Sequence, residues 1–117
     1  MNTTLLLLAF LASTAQAAPV TCTSPNECEV MWSKVQELLP AISAMRVRLL
    51  TNDRIETFAP IRGGTYGAVI TKSPRGENYV IRLEAICLPS YTDAQTSACN
   101  GVGDAMADAL ETWLTAK

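Results

Sequence analysis

Three sets of residues in this chain have types and spacings that bear on chemistry. The first is four cysteines, Cys22, Cys28, Cys87 and Cys99. The second is Asp104, Asp108 and Glu111, three carboxylates at helical spacing near the C-terminus. The third is Arg46, Arg48, Arg54 and Arg82, arginines at alternating positions in strand-like stretches. The sequence contains no histidine, so Ser-His-Asp and Cys-His nucleophilic systems are excluded. A Ser-Lys pair has Lys34, Lys72 and Lys117 to draw on, but nothing in the sequence positions them. We assign no catalytic residue.

Paired carboxylates can act as acid and base on glycosides, so a small carboxylate-dependent hydrolase is the alternative function. The plainer reading of Asp104, Asp108 and Glu111 is a solvated helix face, with Asp104 favoured by the N-terminal dipole. The stretch Arg62-Gly63-Gly64-Thr65-Tyr66-Gly67 has neither G-x-x-x-x-G-K-[ST] nor G-x-G-x-x-G spacing, so it reads as a connection rather than a phosphate loop. The cysteines are spaced C-x5-C and C-x11-C. Neither spacing is a zinc pattern, and we expect no metal and no cofactor.

An even number of cysteines in a small exported chain reads as two disulfides, with three connectivities open. Ser24-Pro25-Asn26-Glu27 is a helix start: Ser24 as N-cap, Pro25 in the first turn and Glu27 closing a capping box. Cys22 then lies just before the cap and Cys28 just inside the helix. That favours Cys22–Cys28 and leaves Cys87 to Cys99. Crossed pairing, with Cys28 reaching Cys87, is the rival.

Export rests on the N-terminus. Leu5 to Ala12 is an apolar run too short to span a bilayer, and Ala15-Gln16-Ala17 is a small-x-small cleavage signature. Residues 1–17 read as a signal peptide cut before Ala18. Residues 18–117 read as a single disulfide-bonded domain, periplasmic or secreted, with no membrane span in the mature chain. The net charge of −2 gives no basic excess of the kind nucleic-acid binding requires.

The elements that must position these residues follow from periodicity. Val30, Met31, Val35, Leu38, Leu39 and Ile42 predict an amphipathic helix from 25 to about 42, ended or kinked near Leu39 by Pro40. Met45 to Leu49, Arg54 to Phe58, Tyr66 to Lys72 and Tyr79 to Cys87 alternate as strands. Ser73 to Glu77 is the last hairpin turn. Leu88 to Asn100 reads as a loop or a short helical turn. Val102, Met106, Ala109, Leu110, Trp113 and Leu114 mark a C-terminal helix whose start is blurred by Gly101 and Gly103. Trp32 and Trp113 both fall on apolar stripes and are expected in the core. The expected fold is α+β: a two-layer sandwich with an N-terminal helix, a four-stranded antiparallel sheet and a C-terminal helix.

The stretch Cys22 to Ser33, C-T-S-P-N-E-C-E-V-M-W-S, resembles the start of a group of small exported bacterial proteins that open with two cysteines in C-x5-C spacing and a Met-Trp pair. The resemblance continues in Arg54 to Pro60 and in Arg82 to Cys87. The group has no assigned activity, so the resemblance implies export and disulfides and assigns no functional residue.

Strand parity yields the one candidate binding face. Val47 and Leu49 are expected to face the core, as are Ile81 and Leu83, so Arg46, Arg48 and Arg82 project away from the helices. An arginine-rich face with apolar members suits a protein surface or an anionic glycan. The functional expectation is a non-enzymatic binding or envelope accessory protein.

Overall fold

A computed structural model of the protein describes residues 19–116. The expected leader and its cleavage point lie outside the described residues. Strand β1 (Val20–Cys22) is followed by helix α1 (Pro25–Ile42), strands β2 (Val47–Leu50), β3 (Arg54–Thr57), β4 (Gly67–Arg75) and β5 (Asn78–Ile86), and helix α2 (Asp93–Thr115). The five strands form one antiparallel sheet in the order β1-β5-β4-β3-β2.

Two corrections to the expected fold follow. Among the described residues the sheet has five strands, and the first helix comes after a strand. β1 is too short to show alternation in sequence. It exists because β5 offers its edge, with Val20 opposite Ile81 and Cys22 opposite Tyr79.

Helix α1 starts where its capping residues place it. Ser24 Oγ accepts from the Glu27 amide at 3.1 Å, and the Glu27 carboxylate accepts from the amide of Thr23, one residue before the cap, at 2.8 Å. Pro40 does not end the helix. It sits in the last turn, and the chain continues to Ile42 before the Ser43 amide closes onto the Leu39 carbonyl at 2.8 Å.

Helix α2 starts well before the expected position. Thr92 and Gln95 form a complete capping box, and both Gly101 and Gly103 lie inside the helix. Gly103 has a packing role: a Cβ there would lie 2.9 Å from the Ala85 Cβ and 3.2 Å from its amide nitrogen. Its missing side chain lets α2 lie directly on β5.

The last hairpin is tighter than expected. Ser73, Pro74 and Arg75 belong to β4, and only Gly76-Glu77 turn. Gly76 has φ 65° and is followed by a residue with negative φ, as in a II′ turn. Pro74 is tolerated because β3 pairs with β4 only from Val69 to Thr71, so no described strand lies beside β4 on that side at Pro74.

Both helices lie on one face of the sheet. Trp32, Val35 and Leu39 of α1 and Met106, Leu110 and Leu114 of α2 share one core with Val20, Ile55, Ala68, Ile70, Ile81 and Leu83. Register places those strand residues on a single face, since Ile55 opposes Ile70, Ile70 opposes Leu83, and Val20 opposes Ile81. Buried Thr57 belongs to the same face. Its Oγ1 accepts from the Ala68 amide at 2.9 Å and donates to the Phe58 carbonyl at 3.0 Å.

Cys22 is bonded to Cys28 and Cys87 to Cys99, with Cα atoms 5.2 and 6.0 Å apart. The first ties β1 to the start of α1. The second ties the end of β5 to the body of α2, because Cys99 lies within the helix. Two bridges in a domain of this size match an oxidising compartment. Among the described residues, no helix is long and apolar enough to cross a membrane.

Candidate functional site

The face of the sheet opposite the helices carries no helix among the described residues and is exposed over much of its area, though Val80 is buried on it. Side chains opposed across an antiparallel pair share a face, so the register lists that face in rows. One row is Leu49, Glu56, Val69 and Glu84; the next is Arg54, Thr71 and Arg82. Further rows hold Ser73 with Val80 and Thr21, and Arg75 with Asn78. Arg54 and Arg82 therefore flank Thr71 at two strand spacings, roughly 10 Å.

Arg82 stands where parity places it, exposed on the open face and in no ion pair with any described residue. Arg48 is also on that face, but it is ion-paired with Glu56, which Arg54 Nε also contacts at 3.0 Å. Arg46 precedes β2. It is exposed, and its carbonyl accepts from the Phe58 amide at 2.9 Å. The three arginines do not form one compact cluster: Arg48 is on the outermost strand and Arg82 three strands away. Arg75, expected in a turn, joins the open face because β4 extends to include it.

The expected orientation of β2 is corrected. The ladder slips between Val47 and Leu49, so Arg48 and Leu49 fall on the same side, as at a β-bulge. Leu49 opposes Glu56 on the open face, while Val47 and Leu50 are on the helix side. All four residues of β2 are exposed, so Val47 and Leu49 are not core residues.

The Glu56 carboxyl is held below its ordinary value of 4.5, first by the hydrogen bond from Arg48 and then by that from Arg54. A depressed carboxylate contributes stability above its unfolded-state pKa and loses it as pH falls through the folded value. In an NMR titration the Glu56 carboxyl midpoint is expected below 4.5, and Arg48→Ala should move it upward. A midpoint unmoved by that substitution would show that the pair does not form in solution.

The charges divide between the layers. The helices carry Glu27, Glu29, Glu37, Asp93, Asp104, Asp108 and Glu111 against Lys34 among the described residues. The sheet and its turns carry Arg46, Arg48, Arg54, Arg62, Lys72, Arg75 and Arg82 against four carboxylates, Asp53, Glu56, Glu77 and Glu84. Asp104 and Asp108 are exposed one turn apart on α2 and belong to this acidic layer.

Lys72 departs from the other bases. It opposes Ile81 on the helix side, with Nζ 5.3 Å from the Trp32 ring centre and 5.9 Å from that of Tyr79. Trp32 is buried and its Nε1 donates to the Thr51 carbonyl at 3.1 Å. Trp113 is not in the core. It is 60 % exposed and borders a shallow groove between the helices with Leu38, Ile42, Val102 and Ala109.

No family model, no curated protein and no solved structure matches this chain.

Proposed function

We propose that this is an exported, non-enzymatic binding domain that holds an anionic partner, a protein surface or a glycan, against the open face of its sheet. The observation that carries the reading is that both helices pack on one side. The other side is left as a twisted platform where Arg54, Arg75 and Arg82 stand among Val69, Thr71 and Leu49. A platform of this kind gives electrostatic attraction with apolar contact between the charges. Export is inferred from the apolar N-terminal run, the Ala15-Gln16-Ala17 signature and the two disulfides. The resemblance of Cys22 to Ser33 to exported bacterial proteins supports the same reading.

The test uses the double substitution Arg75→Ala with Arg82→Ala. Both residues are exposed, so stability should change by no more than about 0.5 kcal/mol. Retention on a heparin column and capture of envelope proteins by the purified protein should both be measured. At least one is expected to fall severalfold, and Asp104→Asn with Asp108→Asn should leave both unchanged. A double arginine variant that keeps its melting point and both interactions would sink the reading.

A further inference from the structure

The sheet has two edges, and they are built differently. At one edge, β1 has three residues and is anchored through Cys22–Cys28. At the other, β2 is hydrogen-bonded, among the described residues, to β3 alone and exposes all of Val47, Arg48, Leu49 and Leu50. Val47, Leu49 and Leu50 are 47, 36 and 54 % exposed, and Phe58, whose amide donates to the Arg46 carbonyl, is 48 % exposed. Because of the bulge, apolar side chains stand on both sides of this strand.

An edge strand presents a row of main-chain donors and acceptors that can pair with another chain. Proteins usually blunt such edges with charge, proline or a cover. Here a bulge and one arginine are present, yet the apolar side chains remain exposed. A docked strand would gain affinity from main-chain bonds and selectivity from alternate side chains.

Charge indicates the occupant. This corner carries Arg46, Arg48 and Arg54. Its carboxylates are Glu56, engaged by Arg48 and Arg54, and Asp53 in the turn, which accepts from the Thr51 hydroxyl at 2.8 Å. A second copy docked edge to edge would set this positive surplus against itself. A segment carrying carboxylates complements it.

We propose that β2 accepts an extended, acidic segment of a partner protein as a sixth strand. The partner's apolar side chains pack on Leu49 on one side and on Val47 and Leu50 on the other, and its carboxylates face Arg46 and Arg48. The inference deepens the binding reading above, from which it takes the anionic character of the partner.

The experiment pans a random nonapeptide display library against the purified, oxidised protein and against Val47→Thr with Leu50→Thr. Enriched peptides are expected to alternate apolar residues with Asp or Glu and to bind the double variant at least tenfold more weakly. Binding should weaken further with Arg46→Glu and with added salt, and should slow hydrogen exchange at the β2 amides. Because Val47 and Leu50 are exposed, the variant should fold; if its circular dichroism melt is lost, Arg46→Glu alone serves. Failure to enrich peptides, or equal binding by the variant, overturns the proposal. So does a dimer that the variant abolishes, because the occupant is then a second copy. If Arg75→Ala with Arg82→Ala abolishes capture while Val47→Thr with Leu50→Thr does not, the edge proposal fails and the open-face reading stands.

Discussion

Leu110→Ala is expected to lower the free energy of unfolding by about 4 kcal/mol, in the upper part of the range for burying and then deleting a leucine. Leu110 is 2 % exposed and belongs to the core that joins α2 to the sheet. It borders a small gap with Pro19, Val20, Ile81, Leu83 and Ala107, so truncation enlarges a space that is already imperfectly filled. How far the site can collapse sets the cost. Here α2 cannot settle toward the sheet, because Gly103 already touches Ala85 and Cys99 is bonded to the end of β5. For a domain of about 100 residues this corresponds to a melting point lower by roughly 15–30 °C. Urea unfolding should show a lower midpoint with an unchanged slope. Trp113→Ala, on the exposed side of the same helix, should by contrast stay within about 0.5 kcal/mol. If the two substitutions cost the same, α2 does not present the face described.

Removing the Cys87–Cys99 bridge by Cys87→Ala with Cys99→Ala is expected to cost about 3 kcal/mol. The bridge closes a loop of sequence separation 12, and the entropy restored to the unfolded chain grows with the logarithm of loop length. The Cys22–Cys28 loop, of separation 6, should yield slightly less, about 2 kcal/mol. The longer bridge also acts locally. Between Ile86 and Thr92 the chain has no regular structure, so the bond is the covalent tie across that connection and adds to the packing of Gly103 on Ala85. Amide exchange should therefore quicken first in Leu88 to Gln95 of the variant, ahead of β4 and β5. Denaturant midpoints of the double variant and the parent, both kept oxidised, measure the global effect. A variant as stable as the parent would show that packing at Gly103 and Leu110 holds α2 without covalent help.

What could be read along the chain was local. The start of α1 is encoded in four adjacent residues, because Ser24 and Glu27 bond to neighbouring amides whatever the rest of the molecule does. That helix start also brings Cys22 next to Cys28. The alternation in β5 is local in the same sense from Ile81 to Glu84, where Ile81 and Leu83 are buried while Arg82 and Glu84 are exposed, since side-chain period in a strand depends only on the backbone; at the strand's start burial departs from it, with Tyr79 42 % exposed and Val80 buried.

What the tertiary structure decided lies between elements distant in sequence. β1 is a strand only because β5 pairs with it. Gly101 and Gly103 are legible as helix breakers, each costing about 1 kcal/mol of propensity, yet the helix runs through them: it starts upstream at the Thr92–Gln95 capping box, and Gly103 packs on Ala85. The bulge at Arg48 is a property of the β2–β3 register. It overrides strand parity, turns Leu49 to the open face and brings Arg48 to Glu56. Val47, Leu50 and Trp113 are as apolar as core residues, and sequence assigns such residues to the interior. β2 is the far edge of the sheet, and all four of its residues are exposed; Trp113 is on the outer side of α2. The edge strand is left uncovered, so apolar character alone did not determine which side chains are buried and which remain exposed to meet a partner.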